Sequence, residues 1–221
     1  LDKLQRSQGN FRLSRLTDDQ RGGTDIEKIV DGNGQPLATR LDDTILHVNL
    51  NHALLPGDST IFKIEFKTRV GTHRRRLKYN PSHGFDQFNI TQWYPKISVY
   101  DRKLGWTTDQ HLGHEFYGDF GTFEVEITLP HEFIVAATGW CTNEAEVMPD
   151  SLKGKVRLEN FKDKPFGETP STIIEPDSGK TKTWKYWATN VHDFAWTADP
   201  SYRIGEAEWN GIKIFSYARE W

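Results

Sequence analysis

The chain has 221 residues, 36% of them hydrophobic, 27% charged and 13% aromatic, with a formal charge of −3 at pH 7. That composition excludes intrinsic disorder, and the near-neutral balance sets up no global field for nucleic acid or anionic lipid. No apolar run approaches the ~20 residues of a membrane span, and the single cysteine, Cys141, allows neither an internal disulfide nor a thiolate zinc site.

The aromatic set is 8 Trp, 7 Tyr and 13 Phe, against one Met and one Cys. Bulky flat side chains suit a pleated surface better than a run of helices, so composition already leans to β. The N-terminus, Leu1-Asp2-Lys3-Leu4-Gln5-Arg6, does not read as a signal peptide and lacks an initiator Met. The chain is therefore expected to be cut from something longer.

In chain order, a short strand is predicted near Ile26 to Val30. Asp31-Gly32-Asn33-Gly34 would turn it into a partner near Pro36 to Arg40. Leu55-Pro56-Gly57-Asp58 is a turn signal ahead of Ile61 to Lys67, where Phe62, Ile64 and Phe66 alternate with Lys63, Glu65 and Lys67. Thr72 to Gly121 carries no sustained period and reads as irregular. The alternation returns in Phe123 to Leu129, closed by Pro130, and in Thr183 to Ala188, which sets Trp184, Tyr186 and Ala188 on one face. Between them, Pro165 to Lys182 is rich in Pro, Gly, Thr and Ser and reads as a surface loop. Last, Trp209-Asn210-Gly211 joins Glu206-Ala207-Glu208 to Ile212-Lys213-Ile214-Phe215. No stretch of twelve residues keeps a helical period. The fold class expected is all-β, roughly eight to eleven strands in a mostly antiparallel sandwich or saddle-like sheet over residues 1–221.

The irregular stretch concentrates the candidate chemistry, as long ordered loops on β scaffolds do. It contains His73-Arg74-Arg75-Arg76, Gln92-Trp93-Tyr94-Pro95 and His111-Leu112-Gly113-His114-Glu115. The last has zinc-ligand side chains, but a helical zinc-peptidase site needs H-E-x-x-H, one turn apart on one face. His114-Glu115 and His131-Glu132 each begin that motif and lack its second histidine. The arginine run has no Gly-rich cradle and no interleaved aromatics, so it reads as a solvated charge run. No G-x-S-x-G occurs, and Cys141 has no local partner that would lower its pKa. Most of the Trp set reads as core, with a carbohydrate- or peptide-binding cleft as the other use. By spacing alone, no catalytic or metal-binding residue is assigned.

Two segments carry a resemblance. One is Ile90-Thr91-Gln92-Trp93-Tyr94-Pro95-Lys96-Ile97-Ser98-Val99-Tyr100-Asp101, continued by His114 to Gly121, the strand to Pro130 and Phe133-Ile134-Val135-Ala136-Ala137-Thr138-Gly139. The other is Val191-His192-Asp193-Phe194-Ala195-Trp196-Thr197-Ala198-Asp199-Pro200. Together they resemble the N-terminal domain of M1-family zinc aminopeptidases, the gluzincin group, in its bacterial W-[YF]-P-K-I-x-V-Y-D branch. Residues 85 to 215 carry the match; residues 1 to 84 fit only in topology.

The resemblance implies a saddle of β-sheet that walls the active-site cavity of a following thermolysin-like domain. It places Gln92 in the pocket for the substrate's first residue, beside the free α-amine, with Trp93 and Tyr94 flanking. A neutral amide suits that place, since its carbonyl accepts from an ammonium and its burial costs less than that of a charge. The other reading of Gln92 is an amide that braces its own loop. The family's G-[AM]-M-E-N loop, its H-E-x-x-H and its third ligand are missing from the chain. Ile212 to Tyr217 resembles the domain's last strand, so zinc and catalysis would belong to a domain after Trp221. The partners implied are that domain and a peptide N-terminus. The branch is often exported, which leaves a periplasmic or cell-surface location open. The alternative is a ligand- or carbohydrate-binding β module, or a scaffold, without peptidase activity.

Overall fold

Period-two alternation builds nearly all the regular structure. The computed structural model describes residues 9, 11, 13–17, 20, 22–71, 76–82, 84–110 and 117–220. Its strands, in chain order, begin with β1 (Gly23–Asp31), β2 (Ala38–Asp42), β3 (Ile45–Asn49), β4 (Phe62–Arg69), β5 (Lys78–Ser82), β6 (Phe85–Ile90), β7 (Tyr100–Asp101) and β8 (Gly105–Trp106). They continue with β9 (Gly121–Pro130), β10 (Ile134–Ala137), β11 (Trp140–Cys141), β12 (Thr181–Val191), β13 (Trp196–Asp199), β14 (Arg203–Trp209) and β15 (Ile212–Ala218). All the pairings between strands are antiparallel, so the all-β, mostly antiparallel expectation holds.

The chain divides into two compact units, residues 1–74 with 93–119 and residues 75–92 with 120–221. In the first, β4 alternates half-buried Phe62, Ile64, Phe66 and Thr68 with exposed Lys63, Glu65, Lys67 and Arg69. Its partner is β1, from Gly23↔Arg69 to Asp31↔Phe62, with a bulge between Ile26 and Lys28. This corrects the expected pairing. Asp31-Gly32-Asn33-Gly34 does turn the chain, but beyond it only Val30 bridges to Pro36, and Ala38–Asp42 pairs instead with β3. The turn is held by Asp31, whose Oδ1 accepts from the Asn33 and Gln35 amides, each at 2.9 Å. Ile29, Val30, Leu37 and Val99 are this unit's buried apolar residues.

The second unit is organised by β9 and β12, paired from Thr181↔Pro130 to Val191↔Gly121, with β11 on the far side of β12. Ile127, Trp184, Tyr186 and Ala188 are buried on one face, while Glu124, Glu126 and Lys185 of these strands are exposed. A second sheet runs β10-β13-β6-β5. Ile134, Val135, Phe194 and Ala198 are at most 1% exposed and form the centre of the core. The Tyr186 hydroxyl donates to the Val135 carbonyl at 2.9 Å, which satisfies the one polar atom that this aromatic carries inward. The β14-β15 hairpin turns on Asn210 and Gly211, both at positive φ (+50° and +78°), as a two-residue hairpin turn requires.

Two expectations need adjusting. Part of the stretch read as irregular is regular, since it holds β5 and β6. Two short helices were not foreseen, α1 (Glu144–Val147) and α2 (Asp150–Val156). Both fall below the length at which periodicity is readable, and they are held by burying Val147, Leu152 and Val156. The predicted loop from Pro165 runs to Lys180, and β12 begins at Thr181.

Candidate functional site

Parts of the segments that carry the resemblance meet on one sheet of the second unit. Trp196 of β13 stands opposite Ala137 of β10 on one side and Ile90 of β6 on the other. Past the end of β10, the Thr138 amide donates to the Ala195 carbonyl at 2.9 Å, and the Ala195 amide donates to Thr138 Oγ1 at 3.1 Å. Thr138 thus stitches the A-A-T-G turn to the D-F-A-W segment. Gly139 completes that turn at φ +84°, where a Cβ would lie 2.1 Å from the Trp187 carbonyl oxygen. Only glycine fits there.

Along β13 the Thr197 hydroxyl lies 2.7 Å from the Phe88 carbonyl, 3.0 Å from Asn89 Oδ1 and 2.6 Å from the Tyr202 hydroxyl. Gln87 Nε2 donates to the same tyrosine oxygen at 3.2 Å. This polar network fixes β6 against β13 and so fixes the direction in which the chain leaves β6.

It leaves through Thr91 and Gln92. Gln92 is half-buried and takes φ +52°, a left-handed backbone that costs a side-chain-bearing residue about 1–2 kcal/mol. Its side-chain amide makes no hydrogen bond among the described residues. Next to it, Thr91 Oγ1 is buried without a partner, and so is Trp196 Nε1 on β13. Buried polar groups are normally paired, so such orphans mark a place where water or a ligand polar group belongs. Sequence reasoning does not single out Thr91 and reads Trp196 with the core tryptophans, whereas the structure leaves Trp196 half-buried with its ring nitrogen unpaired.

Trp93 and Tyr94 belong to the first unit. The Trp93 carbonyl accepts from Thr68 Oγ1 at 2.8 Å, and its ring packs 6.2 Å from Phe66 and edge-on to Tyr94 at 5.4 Å. Trp93 is thereby a packing residue of that unit. The structure does not place the two aromatics with Gln92 in one described unit.

His111, His114 and Glu115 lie outside the described residues, as do His73, Arg74 and Arg75. Among the described residues no group of three or more His, Cys, Asp and Glu side chains is placed to hold a metal ion. His131 Nδ1 lies 3.4 Å from Glu132 Oε2, a contact between two half-buried neighbours. Cys141 is half-buried on β11, and burial pushes its thiol up, away from the reactive thiolate form. Trp184 is core, as expected, whereas Trp106, Trp140 and Trp209 are exposed on separate elements. Trp106 stands at 63° to Tyr100, its ring neighbour at 5.1 Å. No helix among the described residues is long and apolar enough to cross a membrane.

No family model matches the chain, and no curated protein or solved structure matches it.

Proposed function

We propose that this chain is the non-catalytic N-terminal β domain of a bacterial M1-type zinc metalloaminopeptidase. Its strands would form that family's saddle-like sheet and wall the active-site cleft. Gln92 would line the pocket for the substrate's N-terminal residue, its carbonyl accepting from the α-ammonium and its NH2 group free to donate. The observation that carries the reading is the state of Gln92: half-buried, left-handed and without a hydrogen-bond partner among the described residues. Backbone strain held at a polar, unpartnered side chain is a feature of binding sites. The meeting of Ile90 with residues 134–137 and 196–199 on one sheet adds to it, since these residues lie within the segments that resemble the family.

The chain has no H-E-x-x-H, so the family's zinc site would belong to the following domain. In the parent, zinc in the following domain would supply the activated water. This chain would position the peptide's amino end and exclude solvent. The rival reading, a ligand- or carbohydrate-binding module, has exposed aromatics to draw on, and it predicts quenching of tryptophan fluorescence by oligosaccharides.

Three measurements test the proposal. The coding sequence past Trp221 should contain H-E-x-x-H with a Glu about twenty residues further on. The 221-residue chain should neither turn over aminoacyl chromogenic substrates nor retain stoichiometric zinc after dialysis. In the full-length enzyme, Gln92→Ala should change KM across substrates without unfolding the protein. Turnover by the isolated chain, or unchanged kinetics for Gln92→Ala, would overturn the assignment.

A further inference from the structure

A cleft in the second unit plays no part in that reading. It is formed by α2, the 3-10 turn Leu158–Asn160 and residues 172–175, and has a volume of about 650 Å3. Its size falls in the ordinary range for small-ligand sites, roughly 300–1,000 Å3. Leu152 and Ile173 give it an apolar floor, at 9% and 7% exposure. Its remaining lining carries charges of both signs. Lys155 and Arg203 are the cations and Glu175 the acid.

Arg203 is the decisive residue. Its side chain is 7% exposed, its Nη1 donates to the Lys155 carbonyl, and its Nη2 donates to Glu220 Oε1 at 3.0 Å. Its Nε–H has no acceptor among the described residues. Glu220 does not neutralise the region, because Lys164 Nζ also approaches it at 3.5 Å. One carboxylate thus faces two cations. Burial pushes the Glu220 carboxyl up, but hydrogen bonds from Ser171 and Arg203 outweigh it and hold it at about 2. Arg203 lines the cleft and keeps one N–H unpaired, and a carboxylate is a guanidinium's best-matched partner in shape and charge.

A lone inorganic anion would leave Glu175 and the apolar floor unused. A zwitterion uses all of them. We propose that this cleft binds a short peptide with free termini, its carboxylate toward Lys155 and Arg203, its ammonium toward Glu175 and its side chains on Leu152 and Ile173. The site lies within one unit and its lining does not include Gln92, so it does not depend on the peptidase reading.

The test is a 1H–15N correlation titration of the 221-residue chain with tri-alanine, its N-acetylated and C-amidated forms, and inorganic phosphate. Tri-alanine should shift the amides of residues 151–155 and 172–175 saturably, in the millimolar range. Capping either end should weaken binding, and Lys155→Ala and Glu175→Gln, both at exposed positions, should each weaken it about twofold to fivefold with an unchanged fold. Absence of saturable shifts, equal binding of the capped peptides, or indifference to both substitutions would overturn the proposal. Phosphate producing the same shifts would overturn it in favour of a simple anion site. None of these readouts involves zinc or turnover, so failure here is distinguishable from failure of the function proposed above.

Discussion

Tyr117 donates its phenolic hydrogen to Asp101 Oδ2 at 2.6 Å, linking two parts of the quoted motifs across sixteen residues of chain. The other carboxylate oxygen is already committed to the amides of Lys103 and Leu104, at 2.8 and 2.6 Å. Asp101 therefore closes the β7-β8 turn and anchors the returning chain together. The hydrogen bond holds the Asp101 carboxyl below its usual range and pushes the Tyr117 phenol above its own, each through the charge of the ionised carboxylate.

That pairing predicts a titration. In Asp101→Asn the cause that raises Tyr117 is gone, so one tyrosine should ionise earlier than in the parent chain. A spectrophotometric titration of phenolate absorbance, taken as the difference between the two proteins, should show that advance. Tyr79, Tyr186 and Tyr217 are also raised, the first by Asp86 and the others by burial, but they are common to both proteins and cancel. Superimposable curves would mean that Tyr117 is not bound to Asp101 in solution.

Gln92 gives a second prediction, on stability rather than kinetics. The left-handed backbone costs a non-glycine residue about 1–2 kcal/mol, while glycine gives back about 0.4–1 kcal/mol through the unfolded state. Gln92→Gly should therefore stabilise the chain by up to about 1 kcal/mol, and Gln92→Ala, which keeps the strain, should change little. Urea unfolding distinguishes the two. If both substitutions destabilise, the amide is bracing structure and its place in a substrate pocket loses its main support.

Much of the architecture was legible in the sequence, and the reasons differ by element. In β9 and β12 one face is buried and the other wet, so alternation alone located them and assigned their faces. The Asn210-Gly211 turn was legible because its backbone admits few residue types. The partner of β1 was misread because a strong local turn at residues 31–34 suggested a local hairpin. The apolar face of β4, far along the chain, offers β1 a longer ladder. The left-handed corner at Gln92 has no sequence signal, since Asn or Gly is the usual occupant of such a conformation. Trp196 Nε1 and Thr91 Oγ1 became notable only when the sheet placed them and left them unpaired.

Gly139 carries the sharpest packing constraint. A Cβ there would meet the Trp187 carbonyl oxygen at 2.1 Å and the Ala188 Cβ at 2.8 Å, and φ +84° disfavours any side chain. Gly139→Ala should cost about 2–5 kcal/mol, the sum of the left-handed penalty and an overpacking strain. The melting temperature should fall by roughly 10 °C for a chain of this size. Gly211→Ala is the internal control, with φ +78° and open space around the added carbon, so it bears only the backbone penalty. Equal losses at the two sites would refute the close approach of Gly139 to β12.

Lys182 supplies a pH dependence with a defined sign. It lies on the core-facing side of β12, its Nζ 3.3 Å from the Val147 carbonyl and 4.9 Å from the Trp184 ring centre. Burial pushes its ammonium down to about 8, with the Glu132 charge acting weakly in the opposite direction. Between pH 8 and the ordinary lysine value of 10.5 the unfolded chain holds a proton that the folded chain has shed, so stability contributed by this site rises with pH. Below pH 8 both states are protonated and the burial penalty is complete. Lys182→Met keeps the stem and discards the charge. It should be the more stable protein at pH 7 by about 1 kcal/mol, a figure reduced for the solvent that reaches the ammonium. The advantage should shrink steadily as the pH is raised toward 10. Cys141 and the buried tyrosines, all pushed up by burial, add their own pH dependence to stability, but they are shared by both proteins and leave the difference intact. Urea unfolding of the pair at pH 7, 8, 9 and 10 measures it, and a gap that stays constant would show that Lys182 is solvated in the folded chain.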